Sequence, residues 1–210
     1  MSETLLYDFP HSSAAYRVRI ALHLKGVPFH SQLVDFRGNE QRDPGYLALN
    51  PQGFVPALAI DGQLLTQSLA IIGYLDATRP EPTLLPANPA ARARAEAAAM
   101  VIAADIHPLN NLRVRKYLAD ELQLAESGVS RWIQHWIAEG FAALEAMAPE
   151  AGLFGGVSPN LVDICLVPQM YNAVRFKQDL TPYPRLVRID TALRELPAFA
   201  AASPEALIAQ

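Results

Sequence analysis

Cysteine is almost missing from this chain, which has one, Cys165. A lone thiol excludes an internal disulfide and a cysteine-based metal site, and a cytoplasmic address is the expectation that follows. Long hydrophobic runs are missing too, since no apolar stretch approaches the roughly twenty residues of a membrane-spanning helix. The opening stretch MSETLLYDFPHSS has no basic segment leading into an apolar one, so no signal peptide is expected. No lysine or arginine run stands out and the net charge is −4, which argues against a nucleic-acid partner or a polybasic membrane contact. The five histidines are scattered, with no His-x-His pair and no carboxylate cluster beside them, so no metal site is expected. Internal repeats and low-complexity tracts are absent as well.

What is present is enough for a sizeable core, because 210 residues are 51% hydrophobic and only 18% charged. The two halves differ in pattern. In the first, Leu5–Phe9 and Phe29–Val34 read as strands. Tyr16–Lys25 reads as a helix, with Val18, Ala21, Leu22 and Leu24 apolar, Arg17, Arg19 and Lys25 between them, and Gly26 as its stop. Asp43–Asn50 is a short helical turn, and Ala57–Ile60 and Gln63–Leu65 flank Asp61-Gly62 as a hairpin. Gln67–Thr78 is a largely apolar helix. The order βαβαββα predicts a four-stranded mixed sheet with helices on both faces. Arg79-Pro80-Glu81-Pro82-Thr83 is a linker by composition, which places domains at 1–81 and 88–210.

Beyond the linker the pattern is all helical. Ala90–Ala104 is rich in strong helix formers, and Ser130–Met147 carries Trp132, Ile133, Trp136, Ile137 and Phe141 at core spacing. Asn160-Leu161-Val162-Asp163 resembles a capping box opening a helix through Val174. Pro184 and Pro197 each start a further helix. Pro108 inside a helical pattern predicts a kink near His107.

Three short stretches of the first half could carry chemistry. His11-Ser12-Ser13 leads from the first strand into the first helix, and a helix start offers unpaired N–H groups and a positive dipole end to an anion such as a thiolate. Ser12 or Ser13 either caps that helix or donates a hydrogen bond to the anion. Gln67-Ser68 opens the next apolar helix with the same two readings, a cap or a carboxylate holder. Val55-Pro56 enters a strand where proline cannot donate to the ladder; if that bond is cis, the Val55 backbone is free to pair with an extended peptide. Together they suit an extended anionic peptide.

In the second half, His107, Asn110 and Asn111 fall three and four apart, on one helix face, and Arg113 and Arg115 follow. His107 reads equally as a buried histidine on a backbone carbonyl and as a cleft residue. Arg175 is either a surface arginine or the cationic fork that a doubly anionic ligand needs. Cys165 lies in the apolar run Ile164–Val167 and reads as core.

Ser12-Ser13-Ala14-Ala15-Tyr16-Arg17-Val18-Arg19-Ile20-Ala21-Leu22 resembles the signature of zeta-class glutathione transferases. Asn50–Leu58, Gln67–Ile72 and Asp105–Arg113 extend the resemblance over essentially the whole chain. It implies a thioredoxin-like N-terminal domain and an all-α C-terminal domain, the architecture of cytosolic glutathione transferases. It also implies glutathione as cofactor, a homodimer, and the isomerase branch acting on maleylacetoacetate or maleylpyruvate, small cis-unsaturated keto diacids.

By that resemblance Ser12, with Ser13 beside it, meets the glutathione sulfur, and the Val55 backbone pairs with the cysteinyl part. Gln67 and Ser68 hold the γ-glutamyl carboxylate, and Gln52, His107 and Asn111 line the cofactor. Arg175 faces the substrate, with Arg113 and His11 as further substrate contacts. One position departs from the family, Ala14, where zeta enzymes commonly have cysteine. The thiol must then come from glutathione. Two other readings remain, a general transferase conjugating haloacids or other electrophiles, and a non-catalytic glutathione-transferase-like binding module.

Overall fold

Strand β1 (Leu5–Asp8) buries every second residue, Leu6 and Asp8. The structure, a computed structural model, describes residues 4–209. Helix α1 (Ser13–Leu24) carries the chain to β2 (His30–Leu33), parallel to β1. A short helix α2 (Pro44–Leu49) precedes β3 (Ala57–Ile60), which returns antiparallel to β1, and β4 (Gln63–Thr66) closes the sheet in the order β2-β1-β3-β4. The hairpin between them turns on Asp61 (φ 52°) and Gly62 (φ 73°), the pair of left-handed residues that a tight two-residue loop demands. Helix α3 (Ser68–Thr78) packs on α1, while Tyr46 of α2 meets Tyr7 edge-on at 5.8 Å on the opposite face.

The basic residues of α1 are not a solvated face. Arg17 and Arg19 are 1% and 2% exposed. Arg19 bonds Asp8 at 2.7 Å, and Lys25 reaches Asp76 at 2.8 Å and the carbonyls of Arg79 and Pro82. Burying Arg19 and Lys25 is tolerated because each is paired with a carboxylate and hydrogen-bonded.

The chain divides into two compact units, at Thr83/Leu84. The second ends at Glu195, so the expected C-terminal domain is shorter than 88–210: residues from Leu196 on return to the first unit. Helix α9, defined below, packs there on α1, and Arg19 Nε donates to the Ala202 carbonyl at 2.8 Å.

In the helical unit, α4 (Pro89–Met100) is capped by Asn88, whose side chain accepts from Ala91 N–H. It widens into a π-helical stretch, Val101–Ile106, then a 3-10 turn, Pro108–Asn110, so the kink expected at His107 is a change of helical pitch on both sides of it. Gly140 makes room for this bulge, because a Cβ there would lie 2.3 Å from Ile106 Cδ1. Helix α5 (Leu112–Asp120) follows, an element the sequence pattern did not suggest. Next come α6 (Glu126–Met147), α7 (Leu161–Arg175) and α8 (Pro184–Arg194). Trp132 and Trp136 on α6 are half-buried, not core, and Trp132 Nε1 donates to the Leu109 carbonyl. The capping box of α7 forms as expected: Asn160 Oδ1 accepts from Val162 N–H, and the buried Asp163 carboxylate takes the N–H groups of Phe154, Gly155 and Asn160. The returning segment holds α9 (Pro197–Ala201) and α10 (Pro204–Ile208). Among the described residues no helix is long and apolar enough to cross a membrane.

Candidate functional site

Ser12 is the N-cap of α1, and its Oγ accepts the Ala15 N–H at 3.2 Å. The cap uses a lone pair and leaves the hydroxyl proton available to a further acceptor. Ser13 is the buried first residue of the helix, and His11 lies beside Phe9, ring centroids 6.0 Å apart. Ala15, one turn in, shares an apolar cluster with Val34, Tyr46 and Val55, with Tyr7, Phe9 and Phe36 packed against it. That cluster brings the Ser12 turn and the Val55 strand entrance together.

The Val55–Pro56 bond is cis. Among the described residues, nothing hydrogen-bonds the Val55 backbone N–H or C=O. Such a gap at a strand entrance is what an extended chain can fill. The preceding loop is held from both sides. Tyr46 Oη donates to the Phe54 carbonyl at 2.6 Å, and Asn50 Nδ2 to the same oxygen at 2.8 Å. Burial pushes the Tyr46 phenol up to about 12, so it stays a donor throughout the neutral range. Gly53 sits at φ +63° with space for no side chain, since a Cβ would lie 2.6 Å from the Gln41 carbonyl.

Gln67, ahead of α3, holds φ 69° and ψ 116°, a conformation that costs a non-glycine residue energy and that concentrates at functional positions. Its Nε2 donates to Gln52 Oε1 at 2.7 Å, which joins two of the expected cofactor residues. Ser68 is buried at the helix start, and its Oγ accepts from the Arg17 guanidinium at 3.3 Å. Serine hydroxyl, helix N-terminus and buried guanidinium make this corner favourable for a carboxylate. Arg17, Tyr46 and Asn50 are not among the site residues expected from the sequence; an arginine among the apolar positions of α1 was the one available signal.

The helical unit carries a second set. His107 lies between the π-helical stretch and the 3-10 turn, half-buried. Asn110 is buried, its amide directed at the Ile133 carbonyl at 3.5 Å. Asn111 caps α5, accepting from Arg113 N–H at 3.1 Å. Arg113 is exposed on the first turn of α5, and Arg175 is exposed at the end of α7. Arg115, one of two arginines after the asparagines, stacks on Phe176 at 5.0 Å, while Arg175 lies over the same ring at 5.8 Å. Cys165 is fully buried on α7, so the chain places no thiol at the Ser12 turn, where Ala14 stands.

The glutathione S-transferase N-terminal domain family matches residues 11–78. The chain is 49% identical to a probable maleylacetoacetate isomerase of Vibrio cholerae, over 98% of this chain and 97% of that protein. Its fold superposes with TM-score 0.94 and 43% identity on the holo structure of a bacterial maleyl pyruvate isomerase, a zeta-class glutathione S-transferase, covering 96% of this chain and 97% of the other. A maleylacetoacetate isomerase of Methylobacterium extorquens AM1, solved with malonate and GSH bound, superposes with TM-score 0.92 at 39% identity, over 96% and 97%.

Proposed function

The chain belongs to the zeta-class glutathione transferases, in the group of maleylacetoacetate and maleylpyruvate isomerases, and from that premise we propose that it is a glutathione-dependent cis–trans isomerase of maleyl-type keto diacids. The observation that carries this reading is the unpartnered Val55 backbone beside two serine-headed helix starts. These groups fit glutathione, with amide-pairing edges for its backbone, a Ser12 hydroxyl for its sulfur, and Ser68 with the Gln52–Gln67 pair for its γ-glutamyl end.

When bound, glutathione supplies a thiolate nucleophile for reversible addition to the cis double bond. The chain's own part is to favour that anion and to hold the diacid. The α1 start and the Ser12 hydroxyl stabilise negative charge on sulfur. Arg175, with Arg113 and His11 as further candidates, meets the substrate carboxylates; guanidinium suits a carboxylate because it binds in a two-pronged manner. Charge that develops on the diacid during reaction is stabilised by the same donors. By kinship we assign a homodimer in the cytoplasm.

The test is a spectrophotometric assay of maleylacetoacetate and maleylpyruvate, with and without glutathione. The expected outcome is conversion to the fumaryl isomers only with glutathione, which is not consumed. Net loss of glutathione would instead make the protein a conjugating transferase. No thiol-dependent turnover and no retention on immobilised glutathione would leave a binding module.

A further inference from the structure

Two guanidinium groups from helices distant in sequence share one aromatic ring. Arg115 of α5 lies 5.0 Å from the Phe176 centroid and Arg175 of α7 lies 5.8 Å from it. The backbone that carries the ring is held, because Gln134 of α6 donates to the Phe176 carbonyl at 2.9 Å and to that of Lys177 at 3.3 Å. Two cations placed so repel each other, and the usual remedy is a carboxylate between them. None is supplied. Among the described residues neither Arg115 nor Arg175 forms a hydrogen bond or an ion pair. Asp179, the next acid along the chain, accepts the Thr181 N–H at 2.9 Å. Burial, and after it the charge of Arg175, hold the Arg115 guanidinium below its ordinary value.

Arg113 is no substitute for Arg115. Two residues along a helix turn about 200°, so the two arginines leave α5 on opposite sides. Arg115 is the α5 arginine that lies 5.0 Å from the Phe176 centroid.

We propose that Arg115 and Arg175, stacked about Phe176, form a two-arginine fork for the carboxylate remote from the double bond of the substrate, with Arg115 the residue that selects diacids over their monoacid analogues. The fork rests on the isomerase reading for its substrate. Its chemistry, two planar forks on one carboxylate, does not depend on turnover.

The experiment compares the native protein with Arg115→Leu and Arg115→Gln, each checked for an unchanged circular dichroism spectrum and melting curve. With glutathione present, kcat/KM is measured for maleylacetoacetate and for the analogue whose terminal carboxymethyl group is replaced by methyl. Either substitution is expected to lower the diacid-to-monoacid preference about tenfold or more, mainly through KM, as loss of a charge-assisted contact does. A preference that falls less than threefold in both variants overturns the proposal. Calorimetric titration with 3-oxoglutarate and with acetoacetate separates this from the isomerase reading. Should the native protein isomerise nothing, that reading fails, and the fork still stands if Arg115→Leu weakens 3-oxoglutarate binding about tenfold while acetoacetate binding changes less. Equal binding of the diacid by native and variant proteins sinks the fork whatever the turnover.

Discussion

A serine at a helix cap has two hydrogen-bonding capacities, and at Ser12 the fold uses only one of them. The 3.2 Å bond from Ala15 N–H takes a lone pair, and the proton is left over. Ser12→Ala is therefore expected to cut glutathione-dependent turnover at least tenfold. The fold should lose only the cap, about 1 kcal/mol. Steady-state assays paired with urea melts check both halves, and normal turnover in a folded variant would remove Ser12 from its assigned role. Tyr46 offers a test at high pH. Its phenol ionises near 10.0 in the unfolded chain and at about 12 in the folded one. Between those values the native state holds a proton that the unfolded state has lost. Stability from this group is thus complete below pH 10 and declines as pH rises toward 12, by roughly 2–3 kcal/mol in all. Urea melts at pH 9 and pH 11.5 should show that decline in the native protein and less of it in Tyr46→Phe. An equal decline in both would show that Tyr46 is not its source.

At the scale of elements, the sequence is most informative where local chemistry decides. The Asp61-Gly62 hairpin, the capping box at Asn160 and Asp163, and the stop after α1 depend on residues within a few positions of one another, and all are read from the pattern. The strand entrance at Val55-Pro56 belongs to the same group, since proline announces itself. Helix α5 hides behind Arg113, Arg115 and Lys116, whose charges mask a short amphipathic segment. The π-helical stretch is equally invisible, because what permits it is Gly140, on another helix. The site divides in the same way. Ser12, Val55, Gln67 and Ser68 lie in recognisable local settings. Arg17 under Ser68 and Arg115 beside Arg175 acquire meaning only when separate helices meet.

For the molecule as a whole, the linear reading sends the chain's end with the helices, whereas residues from Leu196 on group with the first unit. Composition marks a linker after α3 and gives no sign of a return. The return is made through Arg19, buried in the first unit, which binds Asp8 with one nitrogen and the Ala202 carbonyl with another. Removing it leaves a fully buried carboxylate without its cation. Arg19→Leu is expected to destabilise the protein by about 3–5 kcal/mol, measured as a shift in urea midpoint. Arg19→Leu combined with Asp8→Leu should cost less than the single change, because the stranded charge is then gone. A double variant worse than the single one would mean that the ion pair itself is stabilising.

The position of Cys165 has a consequence for chemical durability. Its sulfur is sealed inside α7 and the active turn carries alanine in place of a thiol. An alkylating agent entering such an enzyme meets no thiol of the polypeptide at the active turn, where Ala14 stands. The atom it would poison belongs to a replaceable visitor, so the injury departs with the next exchange and the catalyst survives.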